Sequence, residues 1–424
     1  MSPPPATGPE AVAAARAAPG PPEDAQVLDL CDLGLEEGAS VLVKRALKRL
    51  PVGARLVVSG TDPALSVHLR AWSRAHGHRF EPAPDGAGAP AGTIRRGSAD
   101  EDRWHGSQRA GAPDPTAAGA VADRPRAAWG LAARGALVEA GAPEYAFALD
   151  DREAVWTGDA ARTYRQAAAG QWDPATAIDW EDPFELDPDV EAAVVQVMTY
   201  LIENENAAMV VPARFLGQVH PHFREVVQVL AVQVADEARH VEVFSRRATL
   251  RGAELGLSTA GGQASLLTLL EEPDYVLAHF LLSVLGEGTF LALLSFLERH
   301  GPDPVTRRVA QLALADEARH VAFGMTHMAE VLAREPAQLG RLATAIERRH
   351  DALAHTSGLN EEVFDALVVL AAGSWERRAV AEGFRRVLEL QAEMAEGRRR
   401  RLVKLGFAPE RASALAALHT RNFM

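Results

Sequence analysis

The five-residue sequence DEARH occurs twice in this chain, eighty positions apart. In each copy a glutamate precedes a histidine by three residues, giving the pairs Glu237/His240 and Glu317/His320. Residues three apart on an α-helix project from the same face, so each copy offers a carboxylate and an imidazole side by side. Such a pair supplies two metal ligands from one rigid helix. Two identical copies therefore predict one metal site to which both helices contribute.

A pair of metal ions in a four-helix bundle takes Glu-x-x-His from each of two helices and one glutamate from each of two others. Each DEARH helix should therefore follow a helix with one inward glutamate. Before the second copy, Glu287 is the only acid between Asp274 and Glu298, and apolar residues surround it. A carboxylate in such a helix is costly to bury unless it is paired or binds a metal. Glu287 is therefore a predicted ligand.

The helix before the first copy carries two acids, Glu203 and Glu205. The apolar stripe of that helix passes through position 205 at heptad spacing, whereas Glu203 falls on a more polar face. We therefore choose Glu205 and keep Glu203 as the alternative. The two halves of the chain then match, since Glu205 precedes Glu237 by 32 residues and Glu287 precedes Glu317 by 30. An internal duplication of a helix pair explains both spacings.

The type of metal follows from the ligands. Four carboxylates offset the four positive charges of two divalent ions, and oxygen ligands with imidazole suit iron or manganese better than zinc. Asp236 and Asp316 stand one residue before each ligand glutamate and are predicted to accept the free N–H of the ligand imidazoles. Arg239 and Arg319 are predicted to hold those aspartates. The expected cofactor is two iron ions, with Mn/Fe or two manganese ions as alternatives.

Residues from about 190 to 330 resemble the ferritin-like di-iron carboxylate superfamily, which includes ribonucleotide reductase small subunits, multicomponent monooxygenases, acyl desaturases, arylamine N-oxygenases, rubrerythrins and ferritins. The six predicted ligands match the superfamily's motif in order: Glu205, Glu237, His240, Glu287, Glu317 and His320. The resemblance implies an all-α four-helix bundle and chemistry with O₂ as co-substrate. Arylamine N-oxygenases carry one more histidine four residues before a motif glutamate. Gln233 and Ala313 occupy those positions here, so no seventh ligand is expected.

The function predicted from this resemblance is that of a non-haem di-iron oxidase or oxygenase of specialised metabolism. Its substrate would be a small organic molecule, and its reaction a hydroxylation, N-oxygenation, desaturation or oxidative cleavage. Gly286 and Gly288 flank a ligand at a cost in helix stability, which would open space beside the metals. Thr289 is a candidate hydrogen-bonding group near the O₂ site, and Tyr200 a candidate radical or hydrogen-bonding residue. A reductase or ferredoxin would supply electrons.

Two alternatives remain open. The first is iron handling, by a ferroxidase or a rubrerythrin-like peroxidase. A single cysteine cannot build the Cys₄ iron site usual in rubrerythrins, and the extra helices at 331–424 exceed a ferritin bundle. The second alternative is a non-catalytic adaptor, which predicts no metal. The extra helices would cover the bundle or form a homodimer interface.

The N-terminal part of the chain has a different pattern. After a Pro/Ala/Gly-rich segment at 1–24, predicted to be disordered, residues 25–98 have the order βαβαββ of a small two-layer α/β domain. Through LDL, LPVGARLVVSGTDPA and AWSRAHGHRFE, they resemble the TusA-like (SirA-like) sulfur-carrier family. The family's Cys-Pro-x-Pro motif is replaced by Leu-Glu-Glu-Gly at 35–38. Cys31 is expected to be a packed strand residue, and the domain to serve for docking, for example of a carrier protein.

The predicted domain organisation is completed by a flexible linker at 99–125 and a helical domain at 126–424. Three polar groups in the helical domain are expected at the surface: His220 with His222, the third Glu-x-x-His formed by Glu347 and His350, and the arginine run at 398–401.

Composition limits the classes of partner and compartment. The net charge of −13 argues against nucleic-acid binding. One cysteine fits a reducing compartment, and we see neither a signal peptide nor an uninterrupted membrane-spanning run. The expectation is a soluble cytoplasmic protein that contacts no membrane.

Overall fold

The computed structural model describes residues 25–84, 90–98, 104–353 and 361–418. The chain divides into two compact units. The first consists of residues 1–109 and 137–142, and the second of residues 110–136 and 143–424. The predicted linker at 99–125 thus does not coincide with this division, because residues 110–125 belong to the second unit.

The first unit contains a four-stranded sheet of order β1-β2-β4-β3. Strands β1 and β2 are parallel, and β4 is antiparallel to both β2 and β3. The elements are β1 Gln26–Asp29, α1 Ala39–Arg49, β2 Arg55–Ser59, α2 Leu65–Ala75, β3 Arg79–Pro82 and β4 Pro90–Arg95, followed by a two-stranded pair, β5 Gln108–Arg109 and β6 Leu137–Val138. The predicted order βαβαββ is confirmed, whereas the relationship to the TusA-like family stays a prediction.

Cys31 is not the packed strand residue that we expected. Strand β1 ends at Asp29, and the chain then turns, with Cys31 exposed at a φ of 52°. The Asp29 carboxylate accepts a hydrogen bond from the Cys31 amide at 3.0 Å, which holds this turn.

The second unit is helical, with helices α3 Arg152–Val155, α4 Ala160–Ala169, α5 Pro188–Leu216, α6 Arg224–Thr249, α7 Ala260–Leu270, α8 Tyr275–His279, α9 Gly288–His300, α10 Pro304–Arg334, α11 Gln338–Leu353, α12 Glu361–Ala372, α13 Arg377–Lys404 and α14 Pro409–Ala417. A π-helical segment, Phe280–Glu287, joins α8 to α9. Short 3₁₀ turns lie at Leu35–Glu37, Ala127–Trp129 and Pro221–Phe223.

The four central helices of this unit are α5, α6, α9 and α10. Two of them begin with the same Asp-Pro sequence. Asp187 precedes Pro188 at the start of α5, and Asp303 precedes Pro304 at the start of α10. Each aspartate caps its helix by accepting a backbone N–H, and proline fits the first helical position because its missing N–H would have no intrahelical partner there. Short connections then fold α5 against α6 and α9 against α10 as two helix hairpins.

The apolar core of this unit consists of two clusters of buried side chains. On each of the four central helices, the buried apolar residues before the predicted ligand belong to one cluster and those after it belong to the other. The flanking pairs, one residue from each cluster, are Leu201 and Ala208 on α5, Leu230 and Val243 on α6, Leu285 and Phe290 at the start of α9, and Ala313 and Val321 on α10. The polar residues between them therefore form one layer across the bundle.

Buried ion pairs fix the helices around this layer. Arg247 of α6 is fully buried and pairs with Glu191 of α5 at 2.7 Å and with the cap Asp303 of α10 at 2.8 Å. Arg134 pairs with Glu225 at the start of α6 at 2.5 Å. Breaking such a pair leaves a buried charge uncompensated, so these contacts specify how the helices dock.

The segment 110–136 also corrects one expectation. His220 and His222, predicted to be solvated, are 1% and 2% exposed. The Ala122 amide donates to Nε2 of His222 at 2.9 Å, and the Trp129 ring lies against the His222 ring. The turn is buried because this segment covers it.

The C-terminal helices cover the bundle. Helix α12 packs against α5, and α13 packs against α9 and α12. Glu347 and His350 are half-buried at the surface and pair with Arg411 and Asp351, as expected for surface residues. The arginine run is only partly solvated, because Arg398 is 1% exposed and donates to the Ala416 carbonyl.

Within the described residues, one helical stretch is long and apolar enough to cross a membrane, Tyr275–His300. Its most apolar window is 83% buried inside the protein. It is the central helix that carries Glu287, and its apolar surface is covered by other helices.

Candidate metal centre

The six predicted ligands meet in the polar layer between the two apolar clusters. They form two overlapping groups, in each of which the ligand atoms lie within 4.8 Å of one another. One group contains Glu205 and His240, the other contains Glu287 and His320, and both contain Glu237 and Glu317. All six residues are buried. Glu203, the alternative to Glu205, is half-buried and belongs to neither group.

The distances show which imidazole nitrogen faces the carboxylates. Nδ1 of His240 lies 3.0 Å from Glu237, 3.2 Å from Glu317 and 3.6 Å from Glu205. Nδ1 of His320 lies 3.1 Å from Glu237 and 3.5 Å from Glu317. The shared glutamates therefore lie between the two histidines and would be available to ions in both groups.

The other imidazole nitrogens point to the aspartates of the repeated sequence, but across the site. Nε2 of His240 lies 3.3 Å from Asp316, and Nε2 of His320 lies 3.1 Å from Asp236. Each histidine is thus held by the aspartate of the other copy. An acceptor at Nε2 places the proton there and leaves Nδ1 free to bind a metal.

The arginines hold these aspartates as predicted. Arg239 pairs with Asp236 at 2.5 Å and with Asp316 at 3.0 Å. Arg319 pairs with Asp316 and lies 3.7 Å from Asp236. Each arginine therefore contacts the aspartates of both copies. Four of the five DEARH residues, all but the alanine, take part in one network.

Two further members of that network were not predicted from the sequence. The Gln171 amide donates to Asp236 at 2.7 Å, and the Trp172 indole N–H donates to Asp316 at 2.8 Å. Both residues lie at the start of an Asp/Pro-rich stretch, 171–189. Their spacing gives no signal, because they reach the site only through the packing of α4 on α6 and α10.

Glu287 is the last residue of the π-helical segment. Such π-helical turns inside α-helices are frequent at functional sites. The Gln233 amide donates to Glu287 at 2.9 Å. Gly288 allows Arg401 to approach, since a Cβ there would lie 2.5 Å from the Arg401 Nε, which donates to the Val284 carbonyl at 2.8 Å. Gly288 therefore makes room for an arginine, and only Gly286 adjoins the cavity beside the site.

Burial gives the cluster unusual acidities. Burial, with repulsion from Glu237 and Glu317, raises the pKa of Glu205 well above its ordinary value, and burial with repulsion from Glu317 does the same for Glu287. Burial opposes charge on His240, yet the Asp316 contact and the surrounding glutamates raise its pKa well above the ordinary value. The metal-free cluster therefore retains protons that a divalent ion would replace.

The donor set fits two metal ions. Oε1 of Glu237, both carboxylate oxygens of Glu317 and Nδ1 of His320 lie at ion-pair distance from the facing ligands but make no hydrogen bond of good geometry, and Oε2 of Glu287 has no hydrogen-bond partner among the described residues. Buried polar atoms are almost always hydrogen-bonded, so this crowded set of carboxylates indicates a missing partner of positive charge. Two divalent ions supply it, and the four carboxylates balance their charge.

A small cavity adjoins the carboxylate side of the cluster. Its walls include Glu205, Glu287 and Glu317, apolar residues of α7 and the π-helical segment, and the buried Arg349 of α11. The space open to a water-sized molecule is about 20 Å³, which holds about one water. Arg349 was not anticipated, because it lies within the Glu-x-x-His interpreted as a surface pair.

The two predicted catalytic residues are both buried. Tyr200 stacks on Phe290 at 5.9 Å, its hydroxyl has no hydrogen-bond partner among the described residues, and burial raises its pKa. The Thr289 hydroxyl donates to the Leu285 carbonyl of its own helix at 2.7 Å. It is therefore engaged by backbone rather than directed at the cluster.

No family model matches the chain, and no curated protein matches it. Solved structures that the chain matches include an R2-like ligand-binding oxidase with an aerobically reconstituted metal cofactor after photoconversion, at 19% identity and a TM-score of 0.40 over 63% of this chain and 92% of that chain. A variant with an anaerobically reconstituted Mn/Fe cofactor has 18% identity and a TM-score of 0.41 over 55% of this chain and 94% of that chain.

Proposed function

We propose that the chain is a dimetal oxidase or oxygenase that uses O₂ to oxidise a small organic substrate, with electrons from an external donor. The observation that carries the proposal is the pair of overlapping ligand groups with two shared glutamates. A single ion would need only one of the two ligand groups. A purely structural metal site would have no side open to a cavity.

Each ligand has a role in holding the ions. Glu205 and His240 would bind one ion, Glu287 and His320 the other, and Glu237 with Glu317 would bridge them. Two reducible ions held by these residues would supply the activation of O₂. Two iron ions, a Mn/Fe pair and two manganese ions remain the loadings to be tested.

The surrounding residues orient these ligands and exclude water. Asp316 and Asp236 accept the Nε2 protons of the histidines, which fixes the rings and raises their basicity. Gln233 orients one oxygen of Glu287 by donating to it. The apolar clusters above and below the layer keep water from the site, and a low dielectric strengthens every charge interaction in it.

The substrate would approach from the cavity side. The histidines and their aspartates close the opposite side, whereas Glu205 and Glu287 both face the cavity. Because the cavity holds about one water, an organic substrate requires outward movement of its wall. Helix α7 and the adjoining π-helical segment supply its leucines, Leu266, Leu269 and Leu282.

The test is anaerobic loading with ferrous ions, followed by mixing with O₂. The expected result is about two bound irons per chain and a transient visible absorbance after mixing. Glu205→Gln should lower both signals, and the matched control Glu203→Gln should change neither, because Glu203 lies outside the cluster. A wild-type protein that binds no metal would refute the proposal and leave the adaptor as the remaining function.

Product analysis separates the catalytic alternatives. With O₂ and a reductant, an oxygenase should transform an organic compound in proportion to O₂ consumed. Turnover of free ferrous ions, unaffected by every organic compound tested, would favour a ferroxidase. Carrier-protein docking through the first unit is a separate proposal, which a pull-down with residues 25–98 deleted tests.

A further inference from the structure

A line of polar residues crosses the apolar helix that carries Glu287. Tyr275, His279, Ser283 and Glu287 follow one another at intervals of four residues along α8 and the π-helical segment. All four are buried, at 5% exposure or less. In each, one side-chain atom has no hydrogen-bond partner among the described residues: the Tyr275 hydroxyl, the His279 Nε2, the Ser283 hydroxyl and the Glu287 Oε2.

The proton positions on His279 follow from its neighbour. Nε2 of His327 lies 2.8 Å from the Ala154 carbonyl, which can only accept, so this nitrogen carries the proton. Burial lowers the pKa of His327 to about 4, so the ring is neutral and its Nδ1 is an acceptor. Nδ1 of His279 lies 2.8 Å away and must donate. The His279 Nε2 therefore carries no proton and has an available lone pair. The hydrogen bond from Nδ1 to His327 fixes the orientation of the ring.

The line of polar residues runs from an open surface cleft to the predicted metal ligand Glu287. Tyr275 lies in the wall of an open cleft of about 410 Å³, which Asp274, Arg334 and Arg341 also line. At the other end, Ser283 precedes the predicted ligand Glu287 by four residues within the π-helical segment, and both side chains are buried. Buried polar atoms without a protein partner are positions for bridging water.

We infer that Tyr275, His279 and Ser283 form a water-bridged proton path between this cleft and Glu287. The inference rests on the proposed function, since a buried site that binds metal ions and reduces O₂ must exchange protons with solvent. In each transfer one O–H or N–H bond breaks and another forms, and no electron moves. The net result is one proton moved between cleft water and the cluster, with His279 Nε2 as the base midway and His327 as its positioning residue.

Metal loading tests the path without any redox step. Binding of Mn²⁺ under anaerobic conditions displaces protons from buried ligands. A pH indicator in weak buffer follows their appearance in a stopped-flow mixer, and tryptophan emission follows the arrival of the ion, since Trp172 is bonded to Asp316. In the wild type, proton release should keep pace with metal arrival.

The decisive variant is Ser283→Ala, which removes one unpaired buried hydroxyl and should fold, since no bonded group loses a partner. It should bind the same number of Mn²⁺ ions as wild type but release protons about 10²-fold later, the effect expected of a positioned proton-transfer group. His279→Phe, which keeps an aromatic ring beside Tyr275, should show the same delay in proton release at an unchanged number of bound Mn²⁺ ions. The control Tyr164→Phe removes a half-buried hydroxyl outside the line and should match wild type.

The outcomes separate the two proposals. If the wild type binds no metal, the proposed function fails and the path fails with it. If it binds two ions and both variants release protons at the wild-type rate, the path alone is overturned. A delay in both variants, with unchanged metal content and unchanged metal arrival, supports it.

Discussion

Replacing Glu287 with glutamine should stabilise the metal-free protein at neutral pH while removing a ligand of one ion. The Glu287 carboxyl is 4% exposed, accepts one hydrogen bond from Gln233 and has a second oxygen without a hydrogen-bond partner among the described residues. Burial and repulsion from Glu317 raise its pKa well above the ordinary value. Glutamine has nearly the same shape, keeps the acceptor for Gln233 and carries no titratable proton.

The magnitude follows from proton linkage. Between the ordinary pKa of an unfolded glutamate, about 4.3, and its raised pKa in the folded protein, the folded state holds a proton that the unfolded chain has released. The free energy of unfolding of the wild type therefore falls as the pH rises through this window, by about 1.4 kcal/mol per pH unit for one proton. From pH 5 to pH 7 the wild type loses at most about 3 kcal/mol of unfolding free energy in this way, and Glu287→Gln, which has no titratable proton at this position, does not lose it.

Thermal unfolding of chelator-treated protein between pH 5 and pH 8 measures this difference. At about 2 °C per kcal/mol for a unit of this size, the variant should melt up to about 5 °C above wild type at pH 7 and much closer to it at pH 5. Mn²⁺ at a hundred times its Kd should stabilise the wild type by about 2.7 kcal/mol, and the variant by less. The control Glu203→Gln should follow wild type throughout.

Two results would refute this reasoning. A metal-free Glu287→Gln protein that melts below wild type at pH 7 would mean that the carboxylate is stabilising, as a merely structural residue would be. A gap between the two proteins that stays constant across the pH range would mean that no buried proton is involved.

The remaining predictions concern the residues around the ligands. Asp316→Asn should weaken binding of the ion next to Glu205, and Asp236→Asn should weaken binding of the other ion, each by about 10- to 100-fold. Competition with a chelator measures both affinities. Equal loss of both ions from either variant would contradict the contacts between each histidine and the aspartate of the other DEARH copy. Trp172→Phe removes a hydrogen bond to a charged group and should lower the free energy of unfolding by about 1.5–3 kcal/mol, measured by urea denaturation. Gly288→Ala should destabilise by about 1–3 kcal/mol because a Cβ there meets a guanidinium, and truncating that arginine to alanine in the same chain should remove most of the cost in a double-mutant cycle.

The sequence by itself predicted the ligand set because its signals are local. Helical spacing fixes that Glu237 and His240 share a face, whatever the rest of the chain does. Glu287 is identifiable because a lone acid in an apolar helix needs a compensating charge. The order of elements in the first unit is equally local, since short alternating strands and helices are separated by Pro and Gly.

Tertiary structure decided what depends on contacts between distant segments. That each histidine is held by the aspartate of the other DEARH copy follows from how α6 packs on α10, and spacing within either copy cannot show it. Gln171 and Trp172 reach the network only through α4, and His222 is buried where the segment 110–136 covers it. Burial of a polar side chain depends on every element packed around it, so local sequence patterns predicted the candidate ligands, and the packing determined their partners.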